Sequence, residues 1–488
     1  MQMTVPRPRE QALEQIMAYI LENKLSADDK LPPEREMCQM WGVNRCTLRS
    51  AIAALTEQGI VYAVQGSGTR IAHRFRRILQ DLQGFSEYAA DCGLRTETRL
   101  LSMSQVECDK QLSRRLHLVL GENAYRISRL RILNGQPTLI ETAYIPAALA
   151  PGLEEHDLVT GSLFSVLREG YGLDLDHGEE KASITTAAEE EAVHLGIAAG
   201  DPVFWIVSIT QTPEGVPVEY CRTVAERTRW SWSAFSTAEK ARHPIMREIS
   251  YKSPLYIQLR EVIRSKIEEE EYLPGTAIPS ENQLMETYGL NRVSVRSALA
   301  ALEFEGLLKS VQGKGVFVAG PKAKRNMDTL GGFHNTMHQS GGNTATRILS
   351  KTLRQAGPYY ARLLEISPES TIWFIRRVEN TAGEPVALEE LYIPYSVVPG
   401  LEEVDIKLFS IYDIYQWNGI VLGEGHQTLR ITQLPPMLAK HMDVPPEQAV
   451  MEFSCTTRDR GGRVVEFSRS YVRNDTAEFV VHFRHTNP

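Results

Sequence analysis

Arg129 and Arg131 stand two residues apart in RISRLRIL, a stretch that alternates apolar and polar positions as a strand does. Residues i and i+2 of a strand leave the same face, so the two guanidinium groups converge. Such a pair suits a carboxylate or phosphate, whose oxygens accept the forked N–H groups. Glu141 and Glu219 allow the opposite reading. Arg129–Glu141 and Arg131–Glu219 would then be surface cross-strand ion pairs, worth under about 1 kcal/mol each. Ser86 and Ser165 are weaker candidates for the same site. Elsewhere, NRCTLRSAIAAL sets Asn44, Arg45 and Arg49 outside an apolar stripe of Leu48, Ile52 and Leu55. An arginine at the start of an exposed helix can reach base edges or clamp phosphates.

No GxSxG, HExxH or GxxxxGK[ST] accompanies these groups, so neither an enzyme motif nor a cofactor is indicated. His334 and His338, four apart in FHNTMH, share a helix face, but two ligands are too few for a metal. Tryptophans occur singly in strand-like stretches and read as core.

The elements that must position these groups occur twice. NRCTLRSAIAALTEQGIVYAVQGSG, from Asn44, matches NRVSVRSALAALEFEGLLKSVQGKG, from Asn291, at 13 of 25 positions. ETAYIPAALAPGLEE answers EELYIPYSVVPGLEE, and EGVPVEYCRT answers GGRVVEFSRS. The order is therefore A–B–A′–B′: 1–74, 75–240, a linker at 241–249, 250–320 and 325–488. Each A unit reads as three helices and a hairpin. In the second copy Leu255, Leu259, Ile263 and Ile267 form one stripe. Ser280 is a good N-cap with Glu281 at the positive helix end, and Pro33 replaces that serine in a first-turn role. Gly42 and Gly289 turn the chain into a third helix, Gly59 and Gly306 end it, and short apolar runs flank QGSG and QGKG. Gly66 and Gly68 let that tip approach a sugar-phosphate backbone. The B units alternate around NGQP and PEG with a short amphipathic helix between them, which is an α+β pattern with antiparallel sheets.

Composition fits a soluble protein: 42% hydrophobic and 23% charged residues, with no apolar run of the roughly 20 residues that span a bilayer. No signal peptide opens the chain, and six scattered cysteines without a CxxC pair read as reduced, mostly buried thiols, so a cytoplasmic protein is expected. The net charge is −8, yet residues 291–325 carry seven basic and two acidic residues, a local basic face.

Helix, helix–turn–helix and glycine-tipped hairpin make a winged helix-turn-helix. The residues LPPERE…GVNRCTLRSAIAALTEQGIV…VQGSG and PLYIQL…IPSENQL…GLNRVSVRSALAALEFEGLL…VQGKG resemble the GntR family of bacterial transcription regulators. The first copy departs at its start, where RPREQALEQI replaces PLYxQ. The resemblance implies DNA contacts by Glu34, Arg35, Arg45, Thr47, Arg49 and Gly68, and by Ser280, Glu281, Arg292, Ser294, Arg296 and Gly315, beside the shared Asn44 and Asn291. For Glu34 and Glu281 the rival role is a cap or a brace for a neighbouring arginine.

The B units resemble the UTRA effector domain of the HutC-type branch, a chorismate-lyase-like fold, through RLR…GQP…E…YIP, SLFSVLREGYGL and GVPVEYCRT. That implies an anionic effector, often a sugar phosphate, on Arg129 and Arg131, with Glu141 and Glu219 taking other ligand groups. The second-copy counterparts are Arg377, Glu389 and Glu466, but Arg131 is answered by Glu379. The expected protein is a DNA-binding repressor whose hold on operator DNA answers to a small-molecule effector. The alternatives are a chorismate-lyase-like enzyme and an architectural DNA-binder indifferent to ligand. With two copies of each part, one chain is expected to act as an intramolecular pseudo-dimer, a homodimer being the rival.

Overall fold

The computed structural model describes residues 3–73, 75–78, 82–159, 161–237, 255–268, 271–311, 315–319, 323–328, 344–381, 383–407 and 410–484. The linker expected at 241–249, the hairpin tip 312–314, and His334 and His338 lie outside them.

The first A unit has helices Pro8–Glu22, Glu34–Trp41 and Arg45–Glu57, then the paired strands Val61–Val64 and Gly68–Ile71. Its second copy has Leu255–Glu268, Glu281–Tyr288 and Arg292–Phe304, then Leu308–Val311 and Gly315–Val318. Asn44 and Asn291 cap the third helices by accepting the Thr47 and Ser294 N–H groups. Ser280 caps its helix, whereas Pro33 occupies the cap position itself, just ahead of Glu34 and without a side-chain bond. The first-turn role read for Pro33 is thus displaced by one residue. Leu48, Ala51 and Leu55 close one core with Ala12 and Ile16; Val295, Leu299 and Leu302 close the other with Leu259 and Ile263. Ile52 stays half-buried at its rim.

Each B unit is built on an eight-stranded sheet of largely antiparallel strands; in the first, the edge strand Ala323–Asn326 runs parallel to Ala477–Arg484. In the first, Asn123–Leu133 and Gln136–Pro146 form a hairpin around Asn134 and Gly135, whose φ angles of 48° and 76° are those a tight two-residue turn requires. In the second, Thr371–Thr381 and Glu384–Pro394 repeat it.

Two compact units form, and they do not follow chain order. One joins Met1–Arg77, Thr228–Lys240 and Met327–Arg473; the other joins Ile78–Arg227, Ala241–Asn326 and Asn474–Pro488. Strand Trp230–Thr237, which the sequence boundaries assign to the first B unit, pairs in the second B unit's sheet with Trp232 opposite Leu429. Strand Ala477–Arg484 pairs in the first B unit's sheet, Phe479 opposite Ala182. Both strands satisfy the same alternating pattern in either of two similar sheets, so periodicity alone does not choose between them. Each A unit is likewise in the compact unit of the other half's B sheet. Gly59 shows how close that fit is: a Cβ there would stand 2.7 Å from the Cβ of Thr228, and Gly306 abuts Asp475 in the same way.

Candidate nucleic-acid interface and effector site

The third helix of each A unit buries one stripe and leaves its basic residues outside. In the first copy both arginines turn back onto one acid. Arg45 Nε lies 2.8 Å from Glu34, and Arg49 Nε lies 2.9 Å from the same oxygen. Their side chains stay 69% and 60% exposed, so the brace orients the forks without covering them. The Arg45 hydrogen bond holds the Glu34 carboxyl below its ordinary range. In the second copy Glu281 braces Arg296 at 3.0 Å, while Arg292 donates to Asn282 at 3.0 Å. Asn282 stands where the first copy has the exposed Arg35. Asn44 and Asn291 spend their side-chain oxygens on capping, as Ser280 spends its hydroxyl on Gln283. Thr47 and Ser294 are half-buried beside them. Gly68 and Gly315 open the second hairpin strands with φ of 97° and 110°, a conformation that favours glycine. Cys46 is exposed in the recognition helix, not in the core, and its counterpart Val293 is 73% exposed.

In the first B unit Arg129 and Arg131 are each 3% exposed and both bind Glu141. These ion pairs are therefore buried. Strand register explains the choice of acid. Glu141 lies directly across from Arg129, with Arg131 on its diagonal, whereas Glu219 belongs to the next strand out. The Arg131–Glu219 pair does not form in the geometry: Arg131 donates to Glu141 at 2.9 Å and to Thr98 at 2.7 Å. Arg131 also approaches Ser86 at 3.5 Å and stacks 5.1 Å from the Phe85 ring. Glu219 accepts a bond from Thr210 at 3.3 Å. Ser165 sits apart from the arginines and donates to Glu87 at 3.3 Å. Burial pushes Glu141 up, but the two guanidinium groups outweigh it and hold the carboxyl at about 2. Burial also lowers Arg129. Its Nε and Nη1 are buried without a hydrogen-bond partner. Each such desolvated donor costs about 1–3 kcal/mol while unmatched, and an acceptor oxygen placed against it would recover that cost.

The second B unit solves the same geometry differently. Arg377 is 2% exposed and lies between two acids: its Nε is 3.1 Å from Glu379, and its Nη2 is 2.6 Å from Glu389. Thr346 donates to Glu379 at 2.7 Å and Ser470 to Glu389 at 3.3 Å. Arg377 is raised, since the two carboxylates overcome its burial. Only its Nη1 is without a partner. Burial pushes Glu466 up to about 7 against the bond it accepts from Tyr415 at 2.8 Å.

Thr98, Phe85 and Tyr415 complete these sites, and the sequence reading missed them. Thr98 faces Arg131 only because a bulge between Leu100 and Ser102 resets the register, and no local pattern announces that bulge. Trp205, read as core, is half-buried against two core clusters and also lies beneath two arginines, Arg260 at 5.2 Å and Arg264 at 4.8 Å. Among the described residues no cluster of His, Cys, Asp and Glu could hold a metal, and no helix is long and apolar enough to cross a membrane.

A family model described as "Bacterial regulatory proteins, gntR family" matches residues 8–71 and 255–318, and the UTRA domain model matches 91–229 and 339–478. The chain is similar to the HTH-type transcriptional repressor NagR of Bacillus subtilis (strain 168), 28% identical over 223 residues, 46% of this chain and 91% of that protein. It is also similar to the mannosyl-D-glycerate transport/metabolism system repressor MngR of Escherichia coli (strain K12), 26% identical over 228 residues, 47% of this chain and 95% of that protein. Among solved structures, PhnF from Mycobacterium smegmatis matches 46% of this chain and 97% of its own, with 24% identity and a TM-score of 0.36. Under half of this chain thus spans nearly all of each of these proteins.

Proposed function

The chain belongs to the GntR family of bacterial transcription regulators, with its DNA-binding and UTRA effector domains both in duplicate, and on that premise we propose a repressor that one small anion releases. The two A units are its readers and the two B units its sensors, working in the cytoplasm. Arg45 and Arg49, with Arg292 and Arg296, address the bases and phosphates of two half-sites, and the glycine-tipped hairpins address the flanking backbone. One chain supplies both readers. Tethering raises the effective concentration of the second to about the millimolar range, so a single molecule holds an operator of two half-sites. Light scattering of the DNA complex tests this: one chain per operator is expected, and a compact complex of two chains on one operator refutes it.

The effector is an anion, such as a sugar phosphate or sugar carboxylate. The observation that carries this is Arg129, a buried cation with Nε and Nη1 unspent beside Arg131. MngR bears the name of a mannosyl-D-glycerate system, and glycerate is a carboxylate. The experiment is operator binding by the whole chain with and without a panel of sugar phosphates and sugar acids. At least one anion should weaken binding, and Arg131→Glu should abolish its effect. A neutral sugar that released the operator as well as any anion would sink this reading.

A second reading applies to residues 325–488. Glu379 and Glu389 already neutralise Arg377, so this sensor takes no anion and serves as a structural partner.

A further inference from the structure

The reader docked on a sensor is the one from the other half of the chain, and the docking residues are not interchangeable. In the unit holding the first sensor, Trp205 on strand Pro202–Gln211 lies under Arg260 and Arg264 of the second reader's opening helix. Arg264 pairs with Glu305 at the end of that reader's recognition helix, and Thr185 of the sensor donates to Glu305 at 2.7 Å. Asn474 fastens the same helix end, donating to the Phe304 carbonyl at 2.6 Å and the Ile184 carbonyl at 3.0 Å. Arg260, Arg264, Glu305 and Thr185 are all buried.

In the unit holding the second sensor, Glu14 of the first reader's opening helix meets Arg354 in a two-pronged pair at 2.9 and 2.7 Å. Aligning Thr98 with Thr346 puts Val106 opposite Arg354, so the first sensor offers Glu14 no cation there. Glu14 on the first sensor would be a buried acid without its partner, which favours the crossed arrangement. Trp205 is likewise replaced by Glu452 in the second sensor.

The first sensor's joint lies on strands His177–Thr186 and Pro202–Gln211, the latter paired with the strand that carries Glu219. Thr210, five residues from Trp205 on one strand, donates to Glu219 on the next. Arg222, three residues from Glu219, lies 6.0 Å from the Trp205 ring and donates to the Tyr144 hydroxyl at 2.7 Å. Successive residues of a strand emerge on opposite faces, so residues three apart do too, and a shift at Glu219 on one face moves Arg222 on the other.

We propose that control in this chain is crossed: an anion in the first sensor, through the Trp205–Arg264–Glu305 joint, governs the second reader. The first reader is docked on a sensor whose acids already neutralise its arginine, and stays indifferent to the same anion. The effector then frees one half-site and leaves the other held. This rests on the reading of Arg129 and Arg131 as an anion site, and the test separates the two ideas.

Hydrogen exchange is followed along the full chain with inorganic phosphate and glucose 6-phosphate as probes. Protection within 123–146 should change on binding, protection within 255–318 should change by about fivefold or more, and 8–71 should stay unchanged. A response at 123–146 accompanied by a change in 8–71, or by none in 255–318, overturns crossed control and leaves the anion site standing. No response at 123–146 with either probe overturns the anion site and crossed control together. Glu305→Gln, with helicity and melting checked against the parent chain, should leave the response at 123–146 intact and reduce that at 255–318. An undiminished response in 255–318 counts against this joint.

Discussion

The two sensors share a strand hairpin and an arginine at the same register, yet they balance charge in opposite ways. In the first, one carboxylate, Glu141, serves two guanidinium groups. In the second, one guanidinium group, Arg377, serves two carboxylates. A single change, Arg131 to its counterpart Glu379, separates a site with an excess cation from one that closes on itself. The first retains two unspent donors on Arg129 and the second one on Arg377. Duplication allows this divergence, because only one copy needs to keep the excess cation.

Removing the shared acid sharpens the contrast most. Glu141→Gln leaves two buried guanidinium groups facing each other and should destabilise the unit containing 123–146 by about 3–5 kcal/mol. Glu389→Gln leaves Arg377 still paired with Glu379 and should cost about 1–3 kcal/mol. Native-state hydrogen exchange in strands 123–146 and 371–394 reads the two separately, which a single unfolding curve of a two-unit chain does not. Equal costs would mean that the acids are not used as the geometry suggests.

Acidity should split the sensors next. Glu141 is held at about 2, below the ordinary 4.5, so it contributes stability above 4.5 that is lost as pH falls towards 2. Glu466 is held at about 7, so between 4.5 and 7 the folded chain keeps a proton that the unfolded chain has released. The contribution of Glu466 is therefore greatest below 4.5 and is lost as pH rises through 7. Protection measured from pH 4 to 8 should fall with rising pH in the second sensor, and Glu466→Gln should flatten that slope. A slope unchanged by Glu466→Gln assigns the titration elsewhere.

Much of this was legible in the chain itself. The readers are local structures: a cap at Ser280, turns at Gly42 and Gly289, and one apolar stripe per helix locate the helices, whereas Asn44 and Asn291, read as DNA contacts, spend their side chains as caps. The Arg129–Arg131 pair followed from the two-residue period alone. What did not follow depends on long-range register. Glu141, not Glu219, takes Arg131 because it is in the neighbouring strand, and Thr98 joins them across a bulge. Nor could the pattern of Trp230–Thr237 reveal which of two similar sheets it completes.

At the operator the effects should be smaller. Arg45→Ala and Arg292→Ala should each weaken one half-site by about 1–3 kcal/mol if the fork reads a base, seen by footprinting the two half-sites separately. The half-sites should share core bases, since Asn44, Arg45 and Arg49 recur as Asn291, Arg292 and Arg296. Selection from random DNA that returned unrelated half-sites would refute this.

The smallest effect expected concerns the braces. Glu34 holds two arginines, whereas Glu281 holds only Arg296 and leaves Arg292 to Asn282. Exposed pairs of this kind contribute little to folding, so neither Glu34→Gln nor Glu281→Gln should shift the melting temperature appreciably. Their value is preorganisation, because a guanidinium fork already oriented has less freedom to lose on the DNA. Releasing two forks should therefore cost more selectivity than releasing one. Preference for operator over unrelated DNA should fall by about two- to fivefold with Glu34→Gln and by less with Glu281→Gln, given the small coupling of exposed pairs. Competition binding at fixed salt measures it, since salt alone moves both affinities. A larger loss with Glu281→Gln, or base-specific loss at one operator position, would make the acid a direct DNA contact instead of a brace.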